Sequence, residues 1–109
     1  MELERSRIPA PPVLPIEIAG VRYEQVRNGL AIGLEQMGGY LAAVDPGTGK
    51  SLWTLKIYDN RRDPALEGDV QDVFFRSMTL QADGKLLIEN ERRGRFMVDP
   101  VTRTVVAAP

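Results

Sequence analysis

Four residues of the stretch Val44-Asp45-Pro46-x-Thr48 recur 54 positions later as Val98-Asp99-Pro100-x-Thr102. A sequence period of this size belongs to repeat architectures, in which each copy is one supersecondary unit that buries its apolar face against a neighbour. The repeated residues are turn formers. Proline presets φ at the second position of a turn, and an aspartate side chain can accept hydrogen bonds from amides just after it. Asn28-Gly29 and Asp83-Gly84 form a second spaced pair, 55 positions apart from Gly29 to Gly84. Each suits a hairpin whose central residues need positive φ. The chain is therefore expected to divide into two copies, over 16–58 and 70–108.

Between these turns the text is strand-like. Val21–Arg27, Tyr40–Val44 and Leu52–Tyr58 are rich in β-branched and aromatic residues. In the last of these Trp53, Leu55 and Ile57 alternate with Thr54 and Lys56, which is the period of a half-buried strand. Leu30–Glu35 places Leu30, Ile32 and Leu34 on one face and is expected to be the return strand after Asn28-Gly29. Gly38-Gly39 then turns the chain into Tyr40. Ile16–Ala19 also alternates, up to a break at Gly20. The second copy predicts strands at Val73–Leu80, Lys85–Glu89, Arg95–Val98 and Thr104–Ala107. Each copy is thus an antiparallel four-stranded meander, and the fold class is all-β. Two such sheets can pack as a sandwich, close as a small barrel, or be completed by oligomerisation. Residues 1–15 hold Pro9, Pro11, Pro12 and Pro15 and form a proline-rich arm outside the single domain 16–109. Pro9-Ala10-Pro11-Pro12 also has the spacing of a ligand for an aromatic groove. Asp59–Asp69 is polar, lacks alternation and reads as a linker, with a helical turn at Pro64–Glu67.

Ala43, Asp45, Thr48, Gly49, Lys50 and Trp53 all fall on the pattern Ala-x-Asp-x-x-Thr-Gly-Lys-x-x-Trp. In this the chain resembles the tryptophan-docking motif of quinoprotein-type β-propeller blades. The resemblance spans eleven residues and implies a blade, with Trp53 packing against a neighbouring blade. It does not carry over the quinone cofactor, because two blades cannot close a ring and nothing matches the cofactor-holding residues. In the second copy Met97, Arg103, Thr104 and Ala107 stand where the motif has alanine, glycine, lysine and tryptophan. The turn is expected to survive there and the docking contact to be lost.

Gly47-Thr48-Gly49-Lys50-Ser51 also matches the end of a phosphate-binding loop. The first glycine of that loop would fall at Val44, Asp45 would set a carboxylate among the amides, and a strand follows where a helix is required. Composition excludes further chemistry. There is no cysteine, so no disulfide, iron–sulfur cluster or thiol nucleophile, and no histidine, the commonest general base and metal ligand. The net charge of −1 favours no polyanion, and no cofactor or nucleic acid is expected. No apolar run reaches the length of a membrane span, and no signal peptide opens the chain, so no membrane partner and a cytoplasmic location are expected.

Candidate sites come from the remaining charges. Glu89 and Glu91 share one strand face, as an acid–base pair would. Arg92, Arg93 and Arg95 lie near enough to neutralise them and, with Phe96, could instead hold a phosphate or a single strand. Asp45, Asp83 and Asp99 suggest calcium but already serve turns. The expected function is a non-catalytic interaction or assembly module, not an enzyme. A small-ligand or phosphate site at the Asp45–Ser51 turn or the Arg92–Arg95 turn is the alternative. Apolar residues on both strand faces, Leu41 and Ala43 against Tyr40, Ala42 and Val44, and Leu86 and Ile88 against Leu87, point to a homo-oligomer, most simply a dimer. The protein partner is otherwise unknown.

Overall fold

The computed structural model describes residues 13–60 and 72–109. Most of the proline-rich arm, including Pro9, Pro11 and Pro12, and the linker with its expected turn at Pro64–Glu67 lie outside the described residues. Eight strands succeed one another: β1 (Ile16–Ile18), β2 (Val21–Val26), β3 (Tyr40–Val44), β4 (Ser51–Lys56), β5 (Phe75–Leu80), β6 (Leu86–Asn90), β7 (Arg95–Asp99) and β8 (Thr104–Ala108). They form two open antiparallel sheets in the orders β1-β2-β3-β4 and β5-β6-β7-β8. The fold is all-β, and neither sheet closes into a barrel. Among the described residues the one helical piece is a single 3-10 turn at Leu30–Ile32, and no helix is long and apolar enough to cross a membrane.

The first sheet differs from the sequence expectation in one strand. Leu30–Glu35 is not a return strand; Ile16–Ile18 takes the fourth place instead, on the outer side of β2. The reason lies in two turns. Ile18 pairs with Val21, so Ala19 and Gly20 alone form the β1–β2 loop, with φ of 51° and 80°. Positive φ at both central residues defines the hairpin turn that matches strand twist. Asn28-Gly29 does not make this turn, because Gly29 sits at φ −64° and the Asn28 side-chain carbonyl accepts from the Ala31 N–H at 3.1 Å. An asparagine that satisfies a free amide starts a helical turn as readily as a hairpin. Asn28-Gly29 therefore precedes β3, whereas Asp83-Gly84 joins β5 to β6. Their 55-residue spacing is not a structural equivalence. The Asp45 and Asp99 turns, by contrast, both join the third and fourth strands of their sheets.

Loop residues 27–39 then fold across the end of the first sheet. Gly29 lies so close to the Gln36 carbonyl and the Tyr40 ring that a methyl group there would collide with both. Tyr40, Ala42 and Val44 are consequently buried although they face away from the core. All of β3 is buried, as expected of a strand with neighbours on both sides and cover on both faces.

The inner faces of the two sheets share one core. Tyr23, Leu41 and Ala43 from the first sheet meet Phe75, Met78, Leu86, Ile88 and Val98 from the second, with Ile57 between them. Leu41, Leu86, Ile88 and Val98 are the largest fully enclosed side chains. Val13, Ile16, Ile18, Val21, Trp53, Leu55 and Val105 pack around them. Tyr58 lies nearly parallel to Phe96, with ring centroids 5.3 Å apart, and tilts against Phe75. Gln25 reaches from β2 to accept the Phe75 N–H at 2.7 Å.

Because the core belongs to both sheets, Leu41→Ala and Leu86→Ala should each destabilise the whole domain by about 2–5 kcal/mol. Urea unfolding followed by tryptophan fluorescence, which reports Trp53 in the first sheet, should coincide with the circular-dichroism transition. Two separate transitions would show that the sheets fold independently.

Candidate interaction surface

The motif residues of the first copy occupy one hairpin. Asp45 organises its turn. Its carboxylate accepts the Gly47 N–H at 2.9 Å, its carbonyl accepts the Gly49 N–H at 2.7 Å, and its own N–H donates to the Lys50 carbonyl at 2.9 Å. The Thr48 hydroxyl accepts the Lys50 N–H at 3.2 Å. Gly49 takes φ +76°. The amides that a phosphate would need are thus engaged inside the turn, and a carboxylate stands where the anion would sit. Lys50 lies at the exposed end of this hairpin.

Trp53 is half-buried on the inner face, paired across the strand with the fully buried Ala43. A register shift at Ala43/Val44 lets it pair there and leaves the exposed Leu52 as the extra residue of the bulge. The indole tilts against Tyr23 at 5.9 Å. Its other neighbour comes from the degenerate copy, since the Arg103 guanidinium lies over the ring, 4.9 Å from its centroid. The Asp99 turn reproduces the Asp45 turn, with the Asp99 carboxylate accepting the Val101 and Thr102 amides and its carbonyl the Arg103 N–H. Arg103 holds φ +59° at the place of Gly49. A non-glycine residue there carries about 1 kcal/mol of backbone strain, and a partly desolvated cation over an indole offsets a comparable amount. The residue that breaks the motif in the second copy therefore contacts the tryptophan of the first. Amide hydrogen bonds from Val101 and Thr102 hold the Asp99 carboxyl below its ordinary value.

The other sequence candidates separate. Glu89 lies between Arg76 and Arg95, at 3.2 and 4.0 Å, whereas Glu91 turns away to accept the Phe74 N–H at 3.0 Å. They do not form a carboxylate pair. The Arg92–Arg95 turn is built on buried Asn90, whose side-chain carbonyl accepts the Arg92 and Gly94 amides at 2.9 and 2.8 Å. Arg93 adopts φ +69°, Arg92 and Arg93 are exposed, and Arg95 is engaged by Glu89 and the Pro109 carbonyl. Asp83 accepts the Lys85 N–H, as Asp45 and Asp99 accept theirs, and among the described residues no group of three acidic side chains could hold a metal ion.

One polar cluster was not legible in the sequence. Gln36, almost fully buried, donates to the Gly38 and Tyr58 carbonyls, both at 2.8 Å, and accepts the Asn60 N–H. Asn60 in turn accepts the Val73 N–H at 2.7 Å, and the Tyr58 hydroxyl donates to the Val73 carbonyl at 2.7 Å. Burial pushes the Tyr58 phenol well above its ordinary value, with the Glu91 charge adding to it. This network ties the end of the first sheet to the start of the second. Its members are single residues in glycine-rich or polar text, and no spacing marks them.

The outer face of the second sheet carries an apolar row. Thr79, Leu87, Met97 and Val106 lie side by side across all four strands, and Val106 is 65% exposed. Lys85, Met97, Asp99, Thr104 and Val106 line a shallow groove of about 240 Å³ there. Compared with protein-family models, curated proteins and solved structures, the chain shows no match.

Two predictions test the hairpin contacts. Trp53→Ala should cost about 2 kcal/mol, less than for a fully buried tryptophan. Arg103→Gly should be more stable than Arg103→Ala by about 1 kcal/mol, because both lose the cation over the ring but only glycine relieves the positive φ. Urea midpoints measure both. The lowered Asp99 value sets a sign in acid: its contribution is present above the unfolded carboxylate value and is lost as pH falls through the folded one. Asp99→Asn, which keeps the acceptor oxygen, should flatten that acid limb in a pH series of thermal midpoints.

Proposed function

We propose that this chain is a non-catalytic interaction or assembly module built from two blade-like repeats, acting in the cytoplasm without a cofactor, nucleic acid or membrane. The observation that carries the reading is the apolar row of half-buried Leu87 and Met97 and exposed Val106 on a sheet whose opposite face is already packed. A row of this kind, rimmed by Lys85, Asp99 and Thr104, has the make-up of a contact surface for another protein. The blade resemblance supports the same reading, since a four-stranded antiparallel meander is the build of one blade and blades pack face to face. The lack of cysteine suits a reducing compartment. Asp45, Asp83, Asp99, Glu89, Glu91 and Arg95 are engaged in turns, amide contacts and ion pairs while Lys50, Arg92 and Arg93 are exposed, which leaves no constellation in the described residues for acid–base or nucleophilic work.

The alternative, a small-ligand or phosphate site, is tested directly. A thermal-shift panel of nucleotides, inorganic phosphate, sugars, quinones and divalent cations should leave the melting temperature unchanged. A ligand at a hundred times its dissociation constant would add about 2.7 kcal/mol and be plainly visible. A shift abolished by Lys50→Ala would replace the interaction reading with the ligand one.

A further inference from the structure

Each open sheet has two edges, and an unpaired edge is a template for another strand unless something blunts it. Three of the four edges are blunted. β1 has three residues and comes directly after Pro15. β4 is bulged at its start and ends in Lys56, which is ion-paired to Glu35 and Asp59. β5 is bulged between Phe75 and Ser77 and carries Arg76, and residues Val13–Ile16 lie beside it, lining a groove with Arg76, Ser77 and Met78. β8 is flanked by Pro109 as β1 is by Pro15, but it is longer than β1 and has neither the bulge nor the charge of β4 and β5. Its sequence, Thr104-Val105-Val106-Ala107-Ala108, holds no charge, proline or glycine, its pairing with β7 is regular over all five residues, and among the described residues β7 is its one strand partner.

We infer that β8 is the self-association edge of this protein, pairing antiparallel with β8 of a second copy about a two-fold axis through Val106. This rests on the assembly reading and gives it a partner and a register. Residues of an edge strand present backbone groups outward at alternate positions, so a second strand gains a ladder at no cost in side-chain rearrangement. A two-fold axis at Val106 sets Val106 against its own copy and Thr104 against Ala108, which opposes no like charges. It also continues the apolar row: Leu87, Met97 and Val106 of one chain run on into Val106, Met97 and Leu87 of the other, across an eight-stranded sheet. The row Asp99–Thr104 of one copy meets the row Ala108–Arg95–Glu89 of the other, so uncharged Thr104 and Ala108 meet at the seam with no like charges opposed there. Self-complementarity of this kind favours a second copy over an unrelated strand. Five-residue strands with one flanking row make a small interface, near or below the roughly 1,200 Å² at the low end of stable complexes, so the dimer should dissociate on dilution.

Charge exchange at the axis tests the register. By light scattering after gel filtration, the wild-type chain should approach twice its 12.1 kDa mass on concentration and fall back on dilution. Val106→Lys and Val106→Glu each set like charges face to face and should raise the dissociation constant at least tenfold, with unchanged circular dichroism because the site is exposed. Mixing the two variants should restore the dimer, since the pair then opposes unlike charges. Leu80→Lys, exposed on the β5 edge, should leave association at the wild-type level. A wild-type chain that stays at 12.1 kDa at every concentration overturns the inference. So does a Val106→Lys chain that dimerises like wild type, or a mixture that stays monomeric. None of these outcomes bears on the ligand panel, and a Lys50-dependent ligand would overturn the assembly reading while leaving the β8 result to stand by itself.

Discussion

The inner face of each four-stranded sheet has the other sheet as its cover. Leu41 and Ala43 in the first sheet and Leu86, Ile88 and Val98 in the second are fully enclosed only because the opposite layer lies over them. Each large aliphatic side chain removed from water contributes about 1.5–3 kcal/mol, and a single small sheet has too few such residues to offset the entropy of ordering its strands. This mutual burial constrains the rest of the molecule. Trp53 must lie between the layers, the Tyr58 and Phe96 rings must stack at their margin, and the polar crossing from Tyr58 to Val73 must find its partners internally. Gln36 and Asn60 supply those partners. Without them, buried carbonyls and amides at the crossing would each cost about 1–3 kcal/mol.

The two Asp-Pro hairpins differ in a way that joins the two sheets. An Asp-Pro turn with an aspartate accepting its own downstream amides needs little from the side chains beyond it, so it persists in both hairpins. What changes is the positive-φ residue, glycine at 49 and arginine at 103. The arginine bears strain that glycine would not, and its side chain reaches the indole of the other copy. An identical second copy would lack this contact, because glycine has no side chain to extend over Trp53. The asymmetry of the repeat thus belongs to the packing of the two sheets against each other.

Much of the architecture was legible in the residues themselves. Strand alternation, the Asp45 and Asp99 turns and the 54-residue repeat depend on interactions within a few positions, and local chemistry decides them. Trp53, Leu55 and Thr54 sit on the faces their alternation assigns, and seven of the eight strands fall close to their expected places. The failures are places where two local outcomes were nearly equal and distant contacts chose. Asn28-Gly29 can close a hairpin or start a helical turn; the fit of Gly29 against Gln36 and Tyr40 selects the turn, and with it Leu30–Glu35 ceases to be a strand. Ala19-Gly20, a weaker hairpin signal, becomes the tight turn because Ile16 and Ile18 can then reach the core.

By itself, then, the sequence determined an all-β chain of two turn-delimited meanders, through short-range periodicity and turn chemistry that hold in any surroundings. Tertiary structure decided which segment fills the fourth place of the first sheet, that Gln36 and Asn60 carry the crossing, and that Arg103 covers Trp53. These depend on residues brought together from 7 to 50 positions apart. No pattern along the chain encodes such a meeting; only the packing of one sheet on the other brings it about.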